Sequence, residues 1–398
     1  MLTFDKPFTQ QEPITEKAIA AAVAVMRSGR LHRYNTIEGE TSQAAMLEEE
    51  FATYMQAKYC LACASGGYAL HIALKAAGLA TGDTVLCNAF TLSPVPGAID
   101  NAGGRTVLVE LGIDYKIDIE DLRAKASSSG AKFLLLSHMR GHICDMEAVI
   151  SICKEFGLIL IEDCAHTLGA RWKGQLSGSF AHIACFSSQT YKHLNSGEGG
   201  LITTNDPDII ARAILHSGSY MLYGSHLAIP DEAVFDAYRL QTPNYSGRMD
   251  NLRASILRVQ LRDLEDNCRR WNLLYGVIDK GLRNISGISL PQRPQHEEYV
   301  GSSIQFSLSG WATGKVKDFI EASAIRGVEI KWFGDSVPHA FTSRYDSWHF
   351  IEQLEALDQT GKILNSLCDL RVPLTFDEDD CRQIVAVIEE AITQVKPL

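Results

Sequence analysis

Three short segments of this sequence carry residue types that could do chemistry together. Lys192 stands five positions after Ser187 in Phe186-Ser187-Ser188-Gln189-Thr190-Tyr191-Lys192, and Asn195-Ser196-Gly197-Glu198-Gly199-Gly200 follows it. A lysine amine attacks a carbonyl only in its neutral form, which partial burial beside cationic or apolar groups favours; otherwise Lys192 is a solvated surface residue. In Glu162-Asp163-Cys164-Ala165-His166 a carboxylate has a histidine three positions later. Asp163 there could keep a ring nitrogen protonated or simply cap a helix, and His166 could present a donor or an acceptor. In Ala64-Ser65-Gly66-Gly67-Tyr68-Ala69-Leu70, small residues precede a helical run. Such a turn either offers free backbone N–H groups to an anion or is only a tight turn. It is not a Walker loop, because no Gly-Lys-Ser/Thr follows.

These segments need a scaffold, and the pattern around them is α/β. Apolar spacing predicts helices over 14–28 and about 42–56. Short apolar runs then alternate with helical stretches, at 84–90, 105–111, 131–138, 158–164, 182–188 and 199–205. The run Leu158-Ile159-Leu160-Ile161 is apolar throughout, as expected of a parallel strand covered on both faces. Its carboxylates fall at the C-terminal end, just outside which ligands bind in open α/β sheets. A long helical stretch from about 251 leads into strand-like 302–309, a helix over 314–327, strand-like 328–334, and a final helix opened by Thr375 and the acids after it. We expect a large domain over 1–250 and a linker helix with a smaller C-terminal domain over 251–398.

Composition narrows the function classes. With 46% hydrophobic and 21% charged residues the chain is ordinary for a globular protein, and its net charge of -11 leaves no basic stripe for nucleic acid. The opening residues lack a secretory signal pattern, and no stretch approaches the apolar length of a membrane span, so a cytoplasmic location is expected. The ten cysteines are scattered and read as reduced thiols. Cys60 and Cys63 form one C-x-x-C without a second pair, and no metal site is expected.

Taken in order, Ser65-Gly66-Gly67-Tyr68-Ala69-Leu70, Glu162-Asp163-Cys164-Ala165-His166 with Gly169-Ala170, Phe186-Ser187 with Lys192, Gly197-Glu198-Gly199-Gly200, Arg248-Met249 and Gln260-Leu261 resemble the DegT/DnrJ/EryC1/StrS aminotransferases. The resemblance covers nearly the whole chain, and its most specific element is the spacing from the lysine to the Gly-Glu-Gly-Gly run. It implies fold type I, the aspartate-aminotransferase-like fold: a large, mainly parallel sheet domain with a smaller α+β domain. It implies pyridoxal 5'-phosphate (PLP) as cofactor, held on Lys192 as a Schiff base, with Asp163 at the ring nitrogen. Ser187 and the backbone of Gly66, Gly67 and Tyr68 would hold the phosphate, and His166 would stand beside the phenolic oxygen, where most members have glutamine. The implied activity moves an amino group from glutamate or glutamine to a keto-sugar, nucleotide-linked, or to a cyclitol ketone, in a homodimer with shared active sites. The alternatives are a dehydratase or other PLP chemistry, and a catalytically silent PLP-binding regulatory protein.

The chain departs from the family pattern at identifiable positions. Leu92 stands where an aromatic usually covers the ring, with Phe90 as a possible substitute, and Gly67 and Tyr68 replace the usual Thr and Ala. Ser246-Gly247-Arg248 replaces the Asn-Tyr-Arg that crosses the dimer interface. Arg248 is expected to reach a donor carboxylate or the phosphate region of the neighbouring subunit, or else to cap local carbonyls. The stretch 219–243 is a candidate for shaping the acceptor pocket.

Overall fold

The computed structural model describes residues 1–395 apart from 341, 343 and 353, so the expected C-terminal unit is described only to 395. Among the described residues a seven-stranded sheet forms from β1 (Tyr59–Cys63), β2 (Thr84–Asn88), β3 (Arg105–Val109), β4 (Phe133–Ser137), β5 (Ile159–Asp163), β6 (Ile183–Ser187) and β7 (Gly200–Thr204). The spatial order is β1-β7-β6-β5-β4-β2-β3. β7 runs antiparallel to both β1 and β6, and the other neighbours are parallel. All five residues of β2 and of β4 are buried. Their side chains alternate between two cores: Val85, Cys87, Leu135 and Ile161 face one, Leu86, Leu134, Leu136 and Leu160 the other. Helices cover both faces, which is why these runs read as continuously apolar.

The same alternation separates the two acids that close β5. Glu162 points into the protein, where its carboxylate accepts backbone N–H groups of Gly178, Phe180 and Ala181 and lies 3.0 Å from His138 Nε2. With its oxygens so engaged, Glu162 fixes the loop after the hairpin Arg171–Trp172/Gln175–Leu176. Asp163 turns to the opposite face and lines a cavity shared with Lys192 and the glycine turn.

The helix Asn251–Leu282, 32 residues long, is capped by Asp250, whose side chain accepts from the Arg253 N–H. Its first half buries Ala254, Leu257, Leu261 and Leu264 against the large sheet. Its second half contributes Leu274, Tyr275, Ile278 and Leu282 to a third core. That core lies under a small antiparallel sheet ordered Ser303–Ser307, Leu367–Arg371, Ile330–Trp332, with helices Thr313–Ile325 and Glu378–Val395 packed on it. The last helix starts later than expected. Asp377 Oδ1 accepts from the Asp380 N–H while Asp380 Oδ2 accepts from the Asp377 N–H, a reciprocal cap that replaces Thr375, whose hydroxyl donates to Gln10 O. No helix among the described residues is long and apolar enough to cross a membrane, and all ten cysteines are buried free thiols.

Candidate active site

A cavity of about 530 Å³ opens at the C-terminal ends of β4, β5 and β6, and Ser303 and Arg371 of the small antiparallel sheet line one side of it. Lys192 reaches it from the loop between β6 and β7. That loop is pinned at both ends: Ser188 N donates to Gly199 O at 2.9 Å and Ser196 N to Ser188 O at 2.9 Å. Gln260 on the long helix grips its middle, accepting from Asn195 N at 2.8 Å and donating to Asn195 O at 2.6 Å. The amine is therefore presented by a short, doubly fastened segment.

Lys192 Nζ lies 2.7 Å from His166 Nε2. Burial strips water from the ammonium, and Arg140 adds repulsion that Asp163 only partly offsets, so the Lys192 pKa falls from 10.5 to about 7. His166 is pushed well below its ordinary value by burial first and by the Lys192 and Arg140 charges next, so its ring is neutral at physiological pH. Without cofactor, labelling of Lys192 by trinitrobenzenesulfonate is expected to rise with pH around a midpoint near 7 rather than 10.5; mass spectrometry of the labelled peptide checks it. Unfolded chains keep this proton up to about 10.5 while the fold releases it near 7, so through this group stability rises with pH between those values.

Asp163 is aimed by its neighbours. Oδ2 accepts from Ser137 Oγ at 2.8 Å, Oδ1 accepts from Ala165 N at 3.1 Å, and Ser137 Oγ in turn accepts from Thr91 Oγ1 at 2.8 Å. Asn88 fixes Ser137 from behind, its Oδ1 accepting from Ser137 N and its Nδ2 donating to Ser137 O. Sequence reasoning found Asp163 but missed Asn88, Thr91 and Ser137, although polar residues at the ends of two apolar runs were the available signal.

The glycine turn sits where the tips of β1, β6 and β7 meet. Ser65 caps helix Gly66–Ala76 by accepting from Tyr68 N at 3.1 Å. A methyl group at Gly66 would lie 2.8 Å from Ser187 Cβ, and one at Gly200 would run into the Ser65 carbonyl. Only glycine fits at either place. Gly66, Gly67 and Ser187 line the cavity, presenting a helix N-terminus and a hydroxyl.

Tyr68 and Phe90 need correction, whereas Ser246, Arg248 and residues 219–243 lie outside this chain's own cavity. Tyr68 lends neither its N–H, which Ser65 takes, nor its ring, which packs over Gly247 while its hydroxyl donates to His216 O. Phe90 is core, edge-on to Phe333 at 5.0 Å, while Thr91, Leu92 and Ser93 of that loop line the cavity. Ser246 and Arg248 do not line this chain's cavity: Arg248 Nη1 donates to Gly218 O, Nη2 donates to Ser246 Oγ, and its guanidinium lies over Tyr220. Residues 219–243 are likewise absent from the lining; Tyr223 stacks on Phe235 at 4.2 Å instead.

PLP fits this arrangement by the chemistry of its donors. The glycine cradle and Ser187 suit a phosphate, the neutral-leaning Lys192 amine suits an aldehyde, and the aimed carboxylate of Asp163 suits a basic ring nitrogen. Gln189, Tyr191, Arg140 and Arg371 also line the cavity, and the sequence reading had singled out none of them.

Comparison with known proteins agrees. A pleiotropic regulatory protein of Geobacillus stearothermophilus is 33% identical over 266 residues, 66% of this chain and 64% of that protein's length. A dTDP-3-amino-3,4,6-trideoxy-alpha-D-glucose transaminase of Streptomyces venezuelae is 30% identical over 70% of this chain and 69% of its own. A solved 3-amino-5-hydroxybenzoic acid synthase superposes with a TM-score of 0.83 over 99% of both chains at 22% identity, a likeness of fold. Residues 12–389 match the family profile, and the chain belongs to the DegT/DnrJ/EryC1/StrS aminotransferase family.

Proposed function

We propose that the protein is a PLP-dependent aminotransferase that takes an amino group from glutamate or glutamine and delivers it to the ketone of a nucleotide-linked sugar or a cyclitol. The observation that carries this reading is Lys192, softened to a pKa of about 7 and touching His166, between a glycine cradle and the aimed carboxylate of Asp163. The family match and the Streptomyces transaminase support it. Bound PLP would supply an electron sink for a carbanion at the substrate carbon. Lys192 would hold the cofactor and then, as a free amine, carry a proton between substrate carbon and cofactor. Asp163 would keep the ring nitrogen protonated, and Gly66, Gly67 and Ser187 would anchor the phosphate. His166, being neutral, would hold one hydrogen bond at the phenolic oxygen or the Lys192 amine without adding charge. A division into 1–250 and 251–398 accompanies this reading, supported by the two cores that the long helix joins.

Absorbance tests the proposal. Protein purified with PLP should show a near-visible band that L-glutamate bleaches, and a keto-sugar or inosose should restore it. A band that no amino donor alters would favour the catalytically silent regulatory reading instead.

The same proposal includes a homodimer with shared sites, in which Ser246 and Arg248 serve the partner's cofactor pocket. Its support is that Arg248 sits in the turn just before the long helix, held but not buried. Mixing Lys192→Ala with Arg248→Ala chains is expected to regenerate about one intact site per heterodimer and hence measurable activity. If Arg248→Ala is severely impaired alone and the exchanged mixture stays as inactive as its parents, Arg248 acts within its own chain.

A further inference from the structure

Arg140 is the cavity residue whose chemistry the reading above leaves unused. It lies three positions beyond β4, held in left-handed backbone at φ 56° and ψ 26°, and only 7% of it is exposed. Its Nε and Nη2 have no hydrogen-bond partner among the described residues. Nη2 approaches Asp369 Oδ2 to 3.5 Å, an ion-pair distance without hydrogen-bond geometry. Asp369 is already shared, accepting from Gln305 Nε2 at 2.7 Å and from Lys331 Nζ at 3.4 Å. Arg371, from the end of the small-domain strand Leu367–Arg371, lines the same cavity with its guanidinium carbon 3.6 Å from the centre of the Tyr191 ring. Arg140 and Lys331 thus share the Asp369 carboxylate, and their charges, together with that of Arg371, act on Lys192.

A buried guanidinium with unused donors is costly unless something else completes it. What completes it must be anionic, small enough for the cavity, and able to take a planar fork of N–H groups, which describes a carboxylate. The cofactor's phosphate has its own cradle at Gly66, Gly67 and Ser187, and the contacts of Arg140 and Arg371 lead to Asp369, Phe333 and Tyr191 instead. Resting on the aminotransferase reading, we propose that Arg140 and Arg371 form a subsite for a carboxylate carried by one of the reactants, either the amino-acid donor or an acid group on the ketone acceptor. One arginine comes from each domain, so the carboxylate bridges the two and sets the reacting carbon against Lys192.

The test uses PLP-loaded enzyme and the variants Arg140→Gln and Arg371→Gln, the second on a partly exposed residue in case the first disturbs folding. Calorimetric titration with succinate, which cannot react, is expected to show binding that weakens by roughly tenfold or more in each variant. Rapid-mixing absorbance then separates the sources. If bleaching by L-glutamate needs roughly tenfold more donor while reoxidation by a neutral inosose is unchanged, the carboxylate is the donor's. If the loss appears only with a keto-uronic acid, and not with the matching neutral keto-sugar, it is the acceptor's. Unchanged succinate binding in both variants overturns the proposal. So does an equal slowing with charged and neutral reactants accompanied by a shifted cofactor band, which would place Arg140 at the cofactor itself. Should wild-type protein bind succinate through these arginines yet react with no donor, the subsite stands and the aminotransferase reading falls.

Discussion

Lys192→Ala is expected to purify without the near-visible band of lysine-bound cofactor and to lose turnover by about a thousandfold or more, while its melting temperature holds or rises slightly. Two facts make the effect on activity large and the effect on stability small. Among the described residues Lys192 is the one lysine lining the cavity, so no neighbour replaces its imine-forming amine: His166 is neutral and touches Lys192 rather than the cradle. Its hydrogen-bond partner among the described residues is that same histidine, and burial already penalises its charged form, so removing it relieves desolvation and breaks no ion pair among them. Absorbance, single-turnover kinetics with L-glutamate and differential scanning calorimetry check the three parts. Turnover near the wild-type rate would end the assignment of Lys192.

Asp163→Asn carries the second largest expected effect: retained cofactor, with activity reduced by about a hundredfold or more. The amide is the same size, but it cannot hold a proton on a ring nitrogen as a carboxylate does. It also cannot satisfy both present donors, Ser137 Oγ and Ala165 N, because one amide position is itself a donor. The mismatch costs roughly 1–3 kcal/mol of stability. A separate readout distinguishes this role from a simple cap. Asp163 raises the Lys192 pKa, so its neutralisation should move the Lys192 labelling midpoint below about 7. An unmoved midpoint together with near-native rates would reduce Asp163 to a backbone cap.

What the sequence made legible was mostly what period and position control. Apolar runs announced β2 to β7, and Asp163 at the end of β5 could be placed at the cavity before any coordinates. The strand Tyr59–Cys63 was missed because five residues between a helix and a glycine turn give no period to read. Leu367–Arg371 was missed because its strand mixes Asp369 and Arg371 with apolar residues; both charges belong to the cavity cluster, so function spoiled the pattern. Type and spacing singled out Lys192, Asp163, Ser187, Gly66 and Gly67, which line the cavity. They could not say whether Phe90 or Leu92 faces the cavity, since a loop has no fixed period to decide it. Nor could they show that Tyr68 N is consumed by the Ser65 cap, which depends on where one hydroxyl turns.

Under the proposed function, the packing of Gly66 on Ser187 and of Gly200 on Ser65 would make strand registration and cofactor capture a single event during folding. Were β7 to pair one residue out of step with β1 and β6, Leu201 would meet the Ser65 carbonyl, and the glycine turn would be forced away from the Ser187 hydroxyl. A slipped chain could keep much of its buried area yet would have no phosphate cradle. A ligand that binds only the correctly registered sheet stabilises that sheet by mass action and leaves slipped competitors behind. PLP present during refolding should therefore raise the yield of native protein, and not merely load protein that has already folded.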